Sequence, residues 1–377
     1  VMPAEGEEGV IAQKQKFFSV SQNESGEDIP IVGGISFEKK AVATTTVATK
    51  KSNIVATTTT TFVRYVERGT GYIYENNLKT LKPLRLSNTI IPKINEALWM
   101  KDGGSLLIRY LKDDSEIIET YYAKLKMSTT TNEKTGEVVN KADIDGVFLP
   151  TDIKNIVVGL GKVFYLRTTS GETIGTVSNF DGTSKSDVFQ SRISEWLPQW
   201  PKDKIIALVT KPSANADSFL YFYDPKINKL EKILGDMPGF TALVNPDDNL
   251  VLYSSSADNF SLKYYNIKTN KSLPLPVSTL SEKCVWSKKE AGVVFCFVPK
   301  FLSNGELPDF WYQGRVSFDD NIWKINMIKG NVDLIFDSQK ETAVSFDGVN
   351  PLLSEKEDFL FFTSKKDFIM YAVRLLD

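Results

Sequence analysis

ALVNPDDNLVLYS, residues 242–254, reads as one β-hairpin. A short apolar run leads into a turn of Asn, Pro and Asp, and a second run rich in branched and aromatic side chains follows. The same grammar recurs in ALWMKDGGSLLIRY (97–110), LPQWPKDKIIALVT (197–210) and CVWSKKEAGVVFCFV (284–298). Taking the last residue of each first strand as an anchor marks Phe37, Trp99, Val158, Trp200, Val244, Trp286 and Leu353. Successive anchors lie 62, 59, 42, 44, 42 and 67 residues apart. A repeat of ~40–45 residues is the period of a four-stranded propeller blade, a unit that buries its faces only by stacking on copies of itself.

The outer half of each blade is equally legible. GYIYENNLKTLKPLRL (71–86), FLYFYDPKINKLEKIL (219–234), SLKYYNIKTNKSLPL (261–275) and NIWKINMIKGNVDLIF (321–336) each read as two strands around a turn of Asn, Asp, Lys or Gly. No amphipathic helix longer than about three turns interrupts them. The fold class is therefore all-β: a single seven-bladed β-propeller over residues 15–377, preceded by a flexible acidic leader, 1–14. Six or eight blades stay open, because Phe37 and Leu353 fit the repeat loosely. The three long intervals call for insertions, placed at Ala41–Thr61, Met127–Asp145 and Pro299–Asp319. FIMYAVRLLD (368–377) reads as a third strand with no fourth after it, whereas KFFSVS (16–21) resembles the fourth strand KPLRLS (82–87). An N-terminal strand completing the last blade would close the ring and remove open sheet edges.

Composition narrows the function classes. The 45 basic and 47 acidic residues are interspersed and leave a net charge of −2. That pattern offers no basic stripe to nucleic acid and no polybasic patch to a membrane. No stretch approaches the ~18–20 apolar residues that span a bilayer. The opening VMPAEGEEGV lacks the features of a signal peptide and fits a chain whose membrane anchor has been removed. Histidine is absent, which excludes Ser–His–Asp and Cys–His machinery and every His-ligated metal site. The chain reads as non-catalytic, with no cofactor.

Only two cysteines occur, Cys284 and Cys296. If Ser287 pairs with Val293 across the KKEAG turn, the cysteines face each other, at a spacing that compresses to a disulfide. The alternative is two small apolar side chains packing between blades; export would favour the bridge. The acidic doublets Asp113-Asp114, Asp247-Asp248 and Asp319-Asp320 read chiefly as turn residues, although carboxylate pairs at the right separation run glycoside hydrolysis. Gly159-Leu160-Gly161 is a lone glycine fragment in a hairpin turn. Trp196, just before the Trp200 anchor, is a candidate accessible aromatic. LPDFWYQGR (307–315) sits in the longest insertion, and its Asp309, Trp311, Tyr312 and Arg315 form the main binding candidate. Large aromatics beside Arg are the material of recognition hot spots. The competing reading makes this insertion a plug over an adjoining blade. The R-Y steps Arg64-Tyr65 and Arg109-Tyr110 suggest arginines that stack between blades or line the channel.

QWPKDKIIAL, LVNPDDNLVLYS and VWSKKEAGVVF, each followed by a YFYDPKINK-like pair, resemble the WD40-like PD40 repeats. Such repeats build the propeller of periplasmic TolB and the non-catalytic propeller of prolyl-oligopeptidase-type enzymes. FVRYVERGTGYIYE, SEWLPQWP, EKCVWSK and DFWYQGRVSFDDNIWKI further resemble a group of uncharacterised bacterial propellers that are exported and membrane-anchored. The similar positions are packing positions, so no functional residue is carried over. The resemblance implies an extracytoplasmic module, periplasmic or at the cell surface, that binds a protein or peptide of the cell envelope. A carbohydrate-binding or carboxylate-dependent hydrolytic propeller is the alternative, and a subunit of a surface layer or appendage the third.

Overall fold

Branched and aromatic side chains favour a pleated surface that they can pack. In this computed structural model the chain forms seven four-stranded antiparallel sheets, the blades of a propeller. The structure describes residues 15–375 except 48–51, 113–114, 132–137, 160, 203, 246, 248 and 303–304. The acidic leader and Asp113-Asp114 therefore lie outside the described residues. Blades 1 to 6 span 31–85, 94–148, 153–191, 196–238, 241–278 and 284–336, each in chain order from first strand to fourth. Blade 7 spans 348–374 and takes its fourth strand from Phe17–Ser19.

First strands touch between blades 1 and 2, 3 and 4, 6 and 7, and 7 and 1, around the axis of a closed ring. At one such approach a Cβ on Gly33 would meet the Ala97 carbonyl oxygen at 2.1 Å, which leaves room for glycine alone. Second strands are covered on both faces. For that reason Ile205–Thr210 (IIALVT) and Val293–Pro299 (VVFCFVP) are unbroken apolar runs rather than alternating ones. Fourth strands such as Lys229–Pro238 and Lys271–Ser278 are exposed and carry Lys and Pro, which discourage edge-to-edge pairing.

The N-terminal strand completes the last blade, as expected. Phe17, Phe18 and Ser19 pair with Val373, Ala372 and Tyr371. The Val20 N–H donates to the Met370 carbonyl at 2.8 Å, and the Met370 N–H to Ser21 Oγ at 2.9 Å. The Phe17 ring stacks on Phe336 of blade 6 and on Tyr371 of blade 7, with centroids 5.3 and 5.0 Å away. The terminal strand is thus bonded to one blade and packed against two.

Two of the three insertions turn out to be regular. Ile31–Val47 pairs with Ser52–Glu67 out to Val47↔Ser52, and Ile118–Thr131 pairs with Val138–Phe148 out to Thr131↔Val138. The Thr-rich stretch and the polar stretch, read as inserted segments outside the blade pattern, instead lengthen blade hairpins. Branching at Cβ makes threonine a strand former whatever its polarity. Both hairpins leave the ring on its lower face, the end where first strands turn into second and third into fourth. Pro299–Asp319 joins a second strand to a third and therefore lies on the upper face.

The paired arginines act between blades. Arg64 donates to Glu75 Oε2 at 2.7 Å in its own blade and to the Gly103 carbonyl at 2.7 Å in blade 2, with its guanidinium over Phe37. Arg109 joins Glu96 to the Ile153 carbonyl of blade 3 at 2.8 Å. In blade 6 Cys284 lies opposite Cys296 and the two form a disulfide.

Removing residues 1–22 should strip the fourth strand from blade 7 and with it the buried side chains of Phe18 and Val20. Two such side chains with their ladder bonds are worth about 5 kcal/mol, so the melting temperature should fall by roughly 5–10 °C. Equal melting of truncated and intact chains in a calorimeter would rule out a closing role for this strand. Separately, alkylation of the unreduced protein should find no free thiol. Reduction should cost at most about 3 kcal/mol, because the bridged loop is short.

Candidate functional site

The upper face of blade 6 carries the insertion Pro299–Asp319, rooted where the Lys300 N–H meets the Asp319 carbonyl at 2.8 Å. Within it Asp309–Tyr312 makes a single helical turn. Gly314 stops that turn at φ +72°, a left-handed conformation that suits glycine. The turn is pinned from three sides. Asp309 Oδ2 accepts the Ala214 N–H of blade 4 at 2.7 Å, and Pro308 lies against Gly239 at the junction of blades 4 and 5. Trp311 Nε1 donates to Asp347 Oδ2 of blade 7 at 2.8 Å. The segment thus bridges the upper rim from blade 4 to blade 7.

This arrangement separates the sequence candidates. Trp311 is 5% exposed and stacks on Phe318 at 6.2 Å, within a cluster that includes Phe260, Leu280 and Leu307. As a binding candidate it would need an open ring face, and it has none: its large apolar ring is covered and its one donor satisfied by a buried carboxylate. Trp196 is corrected in the same way. It is 1% exposed, lies edge-on to Phe189 and Tyr221, and donates to the Ile193 carbonyl at 3.0 Å. Tyr312 is half-buried and donates to Glu282. Burial and that carboxylate hold its phenol well above the usual range, and burial raises the Glu282 carboxyl as well. Arg315 is exposed and lies over the half-buried Phe310 ring at 3.7 Å. Asp309, Trp311, Tyr312 and Arg315 share one loop, and Trp196 stands apart at the interface of blades 3 and 4.

Beneath Trp311 lies a charged cluster that sequence reading passed over. Lys283, Asp320 and Asp347 have no exposed side-chain surface. Lys283 Nζ contacts Asp347 Oδ1, stands 2.8 Å from Asp320 Oδ2 and donates to the Gly348 carbonyl at 3.1 Å. Asp320 Oδ2 also accepts the Gly348 N–H at 2.7 Å. Asp347 Oδ2 takes the Phe318 N–H at 3.0 Å and Ser317 Oγ at 3.3 Å besides the indole. Desolvation by burial pushes the Asp320 carboxyl up to about 6, against the pull of Lys283 and with the push of Asp347. Lys365 donates to the Trp311 carbonyl, and its ammonium sits 4.0 Å over the indole. The only sequence signal for this cluster was the doublet Asp319-Asp320, of which Asp319 does face solvent and pairs with Lys366.

Beside the root of the insertion a groove of about 460 Å³ runs between the end of the blade 5 fourth strand and Val298–Leu302. Pro276, Val277, Leu302 and Trp323 line it, and Phe301 stands at its edge with 86% of its surface exposed. A second cavity of about 370 Å³ opens on the lower face between blades 5 and 6. Its Asn245 and Asn266 oxygens are taken by neighbouring turn N–H groups at 2.7 and 3.0 Å.

Trp311→Ala should cost about 3–5 kcal/mol, the usual range for a large buried ring, and should loosen the whole insertion. Arg315→Ala should leave the unfolding midpoint unchanged. Denaturant titration of both variants decides whether the insertion is held as described. Equal midpoints would refute that account.

No family model and no curated protein sequence matches the chain. Solved structures do. The β-propeller domain of the Trilobed protease from Pyrococcus furiosus is 12% identical, covers 84% of this chain and 94% of its own, and has a TM-score of 0.50. TolB from Acinetobacter baumannii is 11% identical over 93% and 80% of the two chains, with a TM-score of 0.44. An oligogalacturonate lyase in complex with manganese is 11% identical over 91% and 98%, with a TM-score of 0.35. At such identities the likeness concerns the fold alone: the chain is a seven-bladed propeller with TolB and a protease propeller among its structural neighbours, while the PD40 repeat assignment finds no matching family model.

Proposed function

We propose that the protein is a non-catalytic interaction propeller of the cell envelope, and that its upper face binds a protein or peptide. The observation that carries this reading is a rigid, partly apolar platform. Phe301 stands free at the edge of a groove, and the Arg315–Phe310 pair is presented by a segment tied to blades 4 and 7. Preorganised aromatic and Arg side chains bind with little ordering cost. The Cys284–Cys296 disulfide supports an oxidising, extracytoplasmic compartment. The hydrolytic alternative would draw on paired carboxylates open to substrate. Asp320 and Asp347 are instead sealed under Trp311 and engaged by Lys283, which favours the binding reading.

Replacing Phe301 and Arg315 together with Ala should leave melting within a few degrees of the parent. Capture of the native envelope partner should weaken tenfold or more, ~1.4 kcal/mol, as read by quantitative cross-linking in intact cells. Undiminished capture would move the binding surface elsewhere on the ring.

A further inference from the structure

Lys283, Asp320 and Asp347 have more structure around them than an ion pair requires. An ammonium shared by two carboxylates in a dry interior is an expensive way to join two blades. Replacing such groups by apolar ones is often neutral or stabilising. Here a second carboxylate stands beside the lysine and two N–H donors hold the far oxygen of Asp347.

We propose that Lys283 and Asp347 form an intramolecular isopeptide bond that joins blade 6 covalently to blade 7, with Asp320 carrying the protons. The nucleophile is Lys283 Nζ, in contact with Asp347 Oδ1 and so next to Cγ. The electrophile is that Cγ. Its other oxygen, Oδ2, is held by Trp311 Nε1–H at 2.8 Å and Phe318 N–H at 3.0 Å, the spacing of donors that stabilise a developing oxyanion. Asp320 Oδ2 lies 2.8 Å from Nζ. Asp320 Oδ1 has no hydrogen-bond partner among the described residues although it is buried, which leaves it free to take or hand on a proton. The rings of Trp311 and Phe318, each centred 5.3 Å from Nζ, exclude water that would otherwise solvate the ammonium.

The step balances without any co-reactant. In the dry site a proton passes from the ammonium through Asp320 to Asp347, which leaves a neutral amine beside a neutral carboxylic acid. The amine lone pair attacks Cγ, forming the C–N bond and placing negative charge on Oδ2. Asp320 takes a second proton from Nζ and delivers it to Oδ1, and the Cγ–Oδ1 bond breaks to release water. A secondary amide remains, with its N–H directed to Asp320 or to the Gly348 carbonyl. Burial that pushes Asp320 up to about 6 suits a group that must both accept and give a proton near neutral pH. Proximity supplies the rest, since two groups held in contact avoid the entropy of encounter.

Mass spectrometry of the full chain, reduced and denatured, tests the bond. The wild-type protein is expected to weigh one water less than its sequence, and proteolysis should yield a branched peptide linking the segments that hold Lys283 and Asp347. Lys283→Arg should abolish formation and leave the full mass of its sequence, and Asp320→Asn should slow formation at least tenfold, so that a larger fraction of freshly made chain stays at full mass. Folded wild-type chain at full sequence mass with no branched peptide would overturn the proposal. So would a branched peptide that persists undiminished in Asp320→Asn, as far as the role of Asp320 is concerned. Should either variant fail to fold, the wild-type mass and its peptide map still decide.

Discussion

Among the described residues the seven blades exchange no strand-ladder hydrogen bonds with one another, because every ladder begins and ends within its own four-stranded sheet. The ring is therefore held by face-to-face packing and by one closing strand. Phe17–Ser19 stands 349 residues away in sequence from the backbone it completes, as the Ser21–Met370 contact measures. Forming that contact loses the entropy of closing nearly the whole chain. What it gains is the backbone ladder along Tyr371–Val373, together with an aromatic cluster that Phe17 shares with Phe336, Phe346 and Tyr371. Without this strand blade 7 stops at three strands; with it, all seven blades have four.

Packing of apolar faces sets spacing but is permissive about register, and buried polar groups supply what it lacks. At several junctions one side chain reaches across to the backbone of the next blade. Arg64 and Arg109 do so early in the ring. Gln199 spans the Ala242 carbonyl and the Val244 N–H of blade 5 at 2.7 and 3.0 Å. Glu357 of blade 7 accepts from Ser287 Oγ and the Lys288 N–H, each at 2.6 Å. Each bond is modest in net energy, about 1 kcal/mol, yet a slipped blade would leave its partners buried and unpaired at greater cost. Such bonds specify position more than they stabilise. The junction of blades 6 and 7 carries this furthest, with a buried lysine, two buried aspartates and, one residue from the lysine, a disulfide.

The upper-face insertion shows how packing and display divide one segment. Trp311 is drawn inward because its ring gains most from burial and because Asp347 offers an acceptor for its indole N–H. Phe310 stays at the surface only under the cover of the Arg315 guanidinium. Phe301, nearest the root, remains bare. The residues most conspicuous in the sequence became the anchors, and what they anchor is the exposed surface around Arg315.

Sequence alone determined the fold. The hairpin grammar, the spacing of Trp99, Val158, Val244 and Trp286, and the kinship of KFFSVS with fourth strands are local patterns, and each is dictated by the two-residue period of a strand and by turn chemistry. Even the facing of Cys284 and Cys296 followed from one hairpin register. Tertiary structure alone decided which polar and aromatic residues are buried. Lys283 comes from the connection between blades 5 and 6, Asp320 opens the third strand of blade 6, and Asp347 comes from the connection between blades 6 and 7. No period in the sequence announces that they meet. Trp196 and Trp311 look alike whether exposed or covered, because a side chain's exposure depends on what the rest of the ring lays over it. A repeat encodes its own hairpins; the contacts between repeats exist only once the ring has closed.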